Sequence, residues 1–476
     1  MPKPAGATRI QRMLAALGTL ALVVGLSVTP ASAISFTIDD TTNEAQSVPQ
    51  DLSSCPTLTS PPRAFEAFFN TDDMEYRGYL DANGQSPWSY ANKLAQIICG
   101  AKKNSTIMIG MYFIRAIGTA ARPESDAEIV WRAMDYVHTQ RGVKIGFVMD
   151  GGGITPSSAK SNIVKRLVKT GTASIYWCYV GCFNTNRGAY HTAINHEKFV
   201  TISDTIWEDD GQPHPAVFSS SGQYARSQIR TYWQESTLIY GDMKLYQNFA
   251  ARYANMKICS GYKTGSAACK SGKFVTVGDV KPTLVKKRGI WVDSLYRHYT
   301  DSGRGTSVSF SPQPTTVEDY YTTQFAGVDC AVDKKIRVAM YRLTITRAVI
   351  FVKALASLKN RGCDVRILLS QKGGAETVSK DVVKVLKKYK ATSIVRCTRI
   401  PIHTKVILIT PNTSNAGRAL VGTANMTTSG LRYSEEHVIT LDSRRADAAT
   451  SEDIERVIGV YEAGWNELNQ RNVACH

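Results

Sequence analysis

Residues 196–202 read HEKFVTI and residues 403–409 read HTKVILI. In each, a histidine and a lysine two places apart run into a β-branched apolar stretch that suits a buried strand. Alternation along a strand sends residues two apart to the same face. His196 with Lys198, and His403 with Lys405, are therefore expected to point in pairs into one space.

Working outward, the two stretches close two copies of one longer pattern. Ahead of His196 come LAQIICGAKKN (94–104), the strand TIMIGMYFI (106–114), the helix AEIVWRAMDYVHTQRG (127–142), the strand VKIGFVMDGGG (143–153), the helix SSAKSNIVKRLVKTG (157–171) and the strand ASIYWCYV (173–180). Ahead of His403 the order returns: FAGVDCAVDKK (325–335), IRVAMYRLT (336–344), ITRAVIFVKALASLKNRG (345–362), CDVRILLS (363–370), TVSKDVVKVLKKYK (377–390) and TSIVRC (392–397). Cys99 falls on Cys330, Met111-Tyr112 on Met340-Tyr341, Cys178 on Cys397, and Arg141-Gly142 on Arg361-Gly362. Strands alternating with amphipathic helices mean parallel strands with crossover helices, so the expected fold is a pair of tandem α/β sandwich units. The expected layout is a first unit at 34–240, a linker or insert at 241–315 where Gly, Ser and Lys break the pattern, and a second unit at 316–476.

The chain has 476 residues, a size for two lobes, and its 43% hydrophobic content excludes global disorder. Lys3, Arg9 and Arg12 precede an apolar run, Met13–Val28, and then Ala31-Ser32-Ala33. That three-part pattern reads as a secretory signal peptide over 1–33, so the protein is expected outside the cell. Losing it takes the formal charge from +17 to +14. All 10 cysteines follow the signal, and an even number in an exported chain reads as disulfides. Cys178 with Cys182, and Cys259 with Cys269, are placed to close small loops. No C-x2-C pair occurs and few histidines lie near the cysteines, so structural bridges are expected rather than a metal site.

An imidazole can attack phosphorus or pass a proton, and a lysine beside it can offset phosphate charge. Downstream of His196 lies Ser220-Ser221-Gly222-Gln223, and downstream of His403 lies Gly422-Thr423-Ala424-Asn425. Both are small segments bearing hydroxyls and amides that suit phosphoryl oxygens. Farther on, Glu235 in WQESTLI and Glu435 in SEEHVIT are carboxylates placed to orient a catalytic imidazole.

Paired H-x-K strands, each followed by a G-[ST]-x-N-like segment in a duplicated α/β chain, resemble the phospholipase D superfamily. The resemblance implies two phospholipase-D-like units related by a pseudo-two-fold, with both motifs meeting in one active site. It implies His196 as a nucleophile forming phosphohistidine and His403 as the acid and base. Lys198, Lys405, Ser221, Thr423, Gln223 and Asn425 would hold the phosphate, and Glu235 and Glu435 would support the histidines. It implies no cofactor. The sequence departs from the family at Ser203 and Thr410, where the motif carries Asp, and at SSGQ in place of the first G-[ST]-x-N.

Three functions fit. A secreted phospholipase D, working as a monomer with peripheral membrane contact, accounts for export and for the aromatic stretch Tyr176-Trp177-Cys178-Tyr179 through Phe183. A secreted endonuclease accounts for the positive charge, with nucleic acid as the alternative substrate. A binding protein on a retired enzyme scaffold is the third.

Overall fold

The computed structural model describes Cys55 and residues 63–70, 90–112, 114–115, 126–151, 167–184, 193–208, 210–225, 232–261, 267–287, 289–293, 300–301, 303–316, 318–370 and 378–475. The expected signal peptide and most of the helix read at 157–171 lie outside these residues. Among the described residues no helix is long and apolar enough to cross a membrane.

In chain order, the first half contains β1 (Phe65–Asn70), α1 (Tyr90–Cys99), β2 (Thr106–Met111), β3 (Ile114–Arg115), α2 (Asp126–Arg141), β4 (Lys144–Asp150), β5 (Ala173–Cys178), β6 (Lys198–Ile202), β7 (Ala216–Ser220), β8 (Tyr224–Ala225) and β9 (Gln234–Tyr240). Then come α3 (Met243–Cys259), α4 (Ala267–Lys270), β10 (Leu284–Lys287), β11 (Ile290–Asp293), β12 (Thr300–Asp301) and β13 (Arg304–Ser311). The second half contains α5 (Tyr320–Ala326), β14 (Lys335–Met340), α6 (Ile345–Asn360), β15 (Asp364–Ser370), α7 (Lys380–Lys388), β16 (Val395–Thr398), β17 (Lys405–Thr410), β18 (Arg418–Gly422), α8 (Thr428–Arg432), β19 (Glu436–Ala446), α9 (Ala448–Gln470) and β20 (Asn472–Val473).

Two large sheets result, ordered β1-β9-β7-β6-β2-β4-β5 and β12-β13-β19-β18-β17-β14-β15-β16-β20. The second repeats the first strand for strand, from β13 in the place of β1 to β16 in the place of β5. Only β2, β4 and β5, and β14, β15 and β16, run parallel. The H-x-K strands β6 and β17 run antiparallel to β2 and β14, so the sheets are mixed rather than wholly parallel. Short returns without a crossover helix, as from β6 to β7, permit only antiparallel pairing.

Residues 241–315, read as linker or insert, supply parts of both sheets' surroundings. Helix α3 buries Leu245, Phe249, Tyr253 and Met256, a helical stripe that joins the central apolar cluster. Its N-cap, Asp242, accepts from Leu245 N–H at 2.9 Å and from the Thr306 hydroxyl of β13 at 2.7 Å. Strand β13 pairs with β19 as β1 pairs with β9, so the second sheet begins before residue 316. Its sequence, RGTSVSFS, is rich in small and hydroxyl residues, which hid it among the loop-like residues around it.

The central cluster draws side chains from both sheets, including Phe65, Phe69 and Phe199 from one and Val406, Val421 and Ile439 from the other. Tyr461 and Trp465 of α9 join it, and Thr237 Oγ1 meets Tyr461 Oη at 2.5 Å. Shared burial of this kind couples the halves through the hydrophobic effect.

Five disulfides join Cys55–Cys99, Cys178–Cys182, Cys259–Cys269, Cys330–Cys363 and Cys397–Cys475. Both short loops read from spacing are present. The repeat-matched cysteines take unmatched partners, however: Cys99 reaches backward to Cys55, whereas Cys330 reaches forward to Cys363.

Candidate active site

The two halves meet through a pair of related backbone bridges. His196 N–H donates to the Glu435 carbonyl at 2.9 Å, and His403 N–H donates to the Trp233 carbonyl at 2.7 Å. Glu435 N–H returns to Ile194, and Trp233 N–H to Pro401. Each histidine therefore stands just before its strand begins, anchored by the other half, and each lysine opens the strand. Lys198 pairs across to Met111, and Lys405 to Met340, so the matched Met-Tyr steps flank matched lysines.

This geometry brings the two imidazoles together, with ring centroids 6.3 Å apart. Tyr112 lies 5.4 Å from the His196 ring and Tyr341 lies 4.5 Å from the His403 ring. Lys198 Nζ donates to its own His196 carbonyl at 2.7 Å, and Lys405 Nζ makes the same bond to His403. All four motif side chains are buried.

The pseudo-symmetry fails at the imidazoles' other nitrogens. His196 Nδ1 meets Glu436 Oε2 at 2.8 Å, whereas His403 Nδ1 donates to the Ser221 carbonyl at 2.8 Å. Glu436 answers to Gln234 in the other half, since Glu435 and Trp233 hold the equivalent bridges. Both Nδ1 atoms are engaged, and His196 also has a hydrogen bond with the Thr423 backbone.

Neither carboxylate expected to support a histidine does so. Glu435 accepts from Phe183 N–H at 2.8 Å, and Glu235 accepts from Lys405 N–H at 3.1 Å. The carboxylate on an imidazole is Glu436, one residue beyond the expected one, because β19 begins there and turns the next side chain to the site. Ser221 and Thr423 lie at the matching strand ends. The Ser221 hydroxyl accepts from Glu235 N–H at 3.1 Å, and Thr423 Oγ1 accepts from His437 N–H at 3.0 Å. The same two side chains also hydrogen-bond the Glu235 and Glu436 carboxylates. Gln223 and Asn425 are buried, and their side-chain oxygens have no hydrogen-bond partner among the described residues.

Gly422 sits at φ +149°, and a Cβ there would lie 2.4 Å from the His437 carbonyl. Only glycine lets β18 approach β19 so closely. Ser203, in the place of the family's Asp, accepts from Thr106 N–H at 2.9 Å. Within the aromatic stretch Phe183 is fully buried beside the Arg252 guanidinium, while Tyr176, Trp177 and Tyr179 are half-buried.

Burial dominates the site's electrostatics. It lowers His196 well below the ordinary histidine value, aided by Lys198, Lys405 and His403, and lowers His403 likewise, aided by both lysines. Lys198 falls well below its usual range through burial, and Lys405 falls to about 8 for the same reason, against the pull of Glu235 and Glu436. Burial raises Glu436 well above the carboxylate range, opposed by Lys198, and raises Glu235 and Glu435 to about 7. Two imidazoles disfavoured as cations, each beside a lysine, suit an anionic ligand attacked by nitrogen.

Residues 330–458 match the family model described as cardiolipin synthase, PLD-like domain. No curated protein sequence matches the chain. Among solved structures, a phosphatidylserine synthase of Haemophilus influenzae Rd KW20 has 12% identity and a TM-score of 0.54, over 91% of this chain and 92% of that one. A yeast tyrosyl-DNA phosphodiesterase has 10% identity and a TM-score of 0.45, over 82% of this chain and 94% of its own. A polyphosphate kinase from Porphyromonas gingivalis has 10% identity and a TM-score of 0.45, over 79% of this chain, which spans 46% of that kinase. The synthase carries the fold comparison.

Proposed function

We propose that the chain, whose residues 330–458 match a PLD-like domain model and whose fold is shared with a phosphatidylserine synthase, is a phosphodiesterase working through phosphohistidine, with phospholipid as its substrate. The observation that carries the chemistry is the facing pair of imidazoles, each with Nδ1 engaged and a lysine beside it. His196, backed by Glu436, attacks phosphorus through Nε2. The bond to the leaving alkoxide breaks as His403 Nε2–H gives it a proton, which places attack and departure on opposite sides of the phosphoryl group. His403, then neutral, takes a proton from water, and the hydroxide displaces His196 to release the phosphomonoester. An acceptor alcohol in place of that water gives transfer of the head group.

His403 must be protonated for the first step although burial and the lysines depress it. The bound diester supplies the balance, since its negative charge offsets both lysines. Lys198 and Lys405, with the amides of Gln223 and Asn425, hold the nonbridging oxygens. The Ser221 and Thr423 hydroxyls accept backbone N–H groups and keep their own protons to donate.

The family description, cardiolipin synthase, favours phospholipid over nucleic acid as substrate. Five disulfides and the Ala31-Ser32-Ala33 pattern favour an extracytoplasmic setting, reached after removal of residues 1–33. The test sets oxidised protein and its His196→Ala variant, with chelator, against mixed phospholipid vesicles and against plasmid and single-stranded DNA. Head group released by wild type alone, with DNA intact, is the expected result. Cleaved DNA beside intact lipid would transfer the function to a nuclease, and silence on both would leave a binding scaffold.

A further inference from the structure

Behind the catalytic pair, the same two chain segments form a second pair with the residues exchanged. His196-Glu197 runs beside Glu436-His437, so that histidine meets glutamate twice. On the site face His196 Nδ1 lies 2.8 Å from Glu436 Oε2, and on the hidden face Glu197 Oε2 lies 2.5 Å from His437 Nδ1. Both side chains of the hidden pair are wholly buried.

The hidden pair is held from both ends. His437 Nε2 meets Ser219 Oγ of β7 at 2.7 Å, and Arg252 Nε of α3 donates to Glu197 Oε1 at 3.0 Å. Arg252 also donates to the Ser311 carbonyl of β13 and lies 4.7 Å from the Phe183 ring centroid. Burial would raise Glu197, but His437 and Arg252 outweigh it and hold the carboxylate below its ordinary value. Ser219, His437 and Glu197 have the residue types of a hydrolytic triad, yet Ser219 is 1% exposed and His437 is 0% exposed. No substrate reaches that hydroxyl, so the chain of contacts is not a second active site.

The pseudo-two-fold supplies an internal comparison. The positions of Glu197 and His437 are taken in the other half by Thr404 and Glu235, and Gln234 stands where Glu436 stands. Thr404 Oγ1 has no hydrogen-bond partner among the described residues, and Glu235 turns to the Lys405 backbone. A carboxylate on a catalytic imidazole and a hydrogen-bonded Glu–His pair behind it thus occur together on one side, and neither is found among the described residues of the other.

We propose that Glu197–His437 is a positioning pair that fixes Glu436 on His196, and that Arg252 and Ser219 hold it there. The inference rests on the assignment of His196 as the nucleophile. A buried ion pair contributes little net stability against an apolar replacement, whereas its directional bonds can fix one register between segments. Glu197 and His437 belong to different halves and directly follow the residues they align, so any slip of β19 against β6 would move Glu436 off Nδ1.

The test compares oxidised full-length wild type with Glu197→Gln, Glu436→Gln, the double variant and the milder Ser219→Ala. The readouts are 15N-imidazole NMR of His196 and steady-state kinetics on bis(p-nitrophenyl) phosphate. Glu197→Gln should move the His196 nitrogen signals toward those of Glu436→Gln and lower kcat about tenfold, with KM changed less than about twofold. The double variant should be no slower than Glu436→Gln alone. Ser219→Ala should shift the same signals less, and it carries the test if Glu197→Gln fails to fold. Unmoved His196 signals in a folded variant, or losses that multiply in the double variant, would overturn the proposal. If wild type is inert toward the diester, the catalytic assignment falls, while the NMR comparison still decides whether the pair positions Glu436.

Discussion

His196 Nδ1 and Glu436 Oε2 lie 2.8 Å apart across the boundary between the two halves, so a carboxylate of one half rests on an imidazole of the other. The equivalent nitrogen of His403 is held by a backbone carbonyl instead. A carboxylate stabilises an imidazolium that forms during attack, and a carbonyl only orients the ring. The asymmetry separates the roles of two otherwise matched histidines.

That separation should be visible in trapped intermediates. With a diester carrying a good leaving group, His403→Asn should still be phosphorylated on His196, because the first step no longer needs an acid. His196→Asn should give no adduct. Both should lose about three or more orders of magnitude in turnover on an unactivated diester. Intact-mass spectrometry after rapid quench checks this, and an adduct on His403 in the His196 variant would reverse the assignment.

The two neighbouring glutamates should differ sharply. Glu436→Gln is expected to lower kcat about a hundredfold or more, by loss of the carboxylate behind the nucleophile. Glu435→Gln keeps an acceptor for Phe183 N–H and should change kcat less than about threefold. Equal losses in the two variants would contradict the site described above.

Lys405 sets an alkaline limit. Burial lowers it to about 8, so it is charged below that pH and loses its charge above it. Activity should therefore decline as pH rises through about 8, chiefly as a rise in KM if Lys405 binds the phosphate. Lys405→Arg, where it retains activity, should carry the limb to higher pH. A profile flat to pH 10 would remove Lys405 from phosphate binding.

Glu235 links stability to pH. Its buried carboxyl is raised to about 7, above the ordinary carboxylate value, so the folded state holds a proton that the unfolded state releases. Stability is then highest below the unfolded value and is lost as pH rises through about 7. Glu235→Gln keeps the acceptor for Lys405 N–H and removes the ionisation. Relative to wild type it should gain on the order of 3 kcal/mol between pH 5 and pH 8. Calorimetric Tm values at the two pH values measure the gain, and a constant offset between the proteins would refute it.

The longest disulfide loop should matter most to the second half. Cys397 of β16 and Cys475 enclose a separation of 78 residues, which covers β17, β18, β19 and α9. Replacing both with serine should cost about 2–5 kcal/mol, read as a fall in denaturant midpoint. A midpoint unchanged within error would show that the pairing of β16 with β20 suffices alone.

The duplication, the mixed helix and strand order, the two H-x-K steps and the short disulfide loops were legible because each is written in local spacing. Strand β13 was not, because an inner strand of small and hydroxyl residues has the composition of a loop. Glu436 was passed over for Glu435 because alternation assigns faces only once a strand's first residue is known. That residue was set by pairing with β13 and β18. Ser221 and Thr423 have the right chemistry for phosphate, and the N–H groups of β9 and β19 that their hydroxyls accept were set by strand pairing.

By itself the sequence determined that two α/β units would each present a histidine and a lysine at the start of one strand, since periodicity and residue type act within a few residues. Only the tertiary structure decided which carboxylate reaches which imidazole. The partner of His196 comes from 240 residues away, and the Nδ1 partner of His403 is a carbonyl that no side-chain pattern records. Distances of that kind are set by how two sheets share one core, and a linear pattern does not specify that packing.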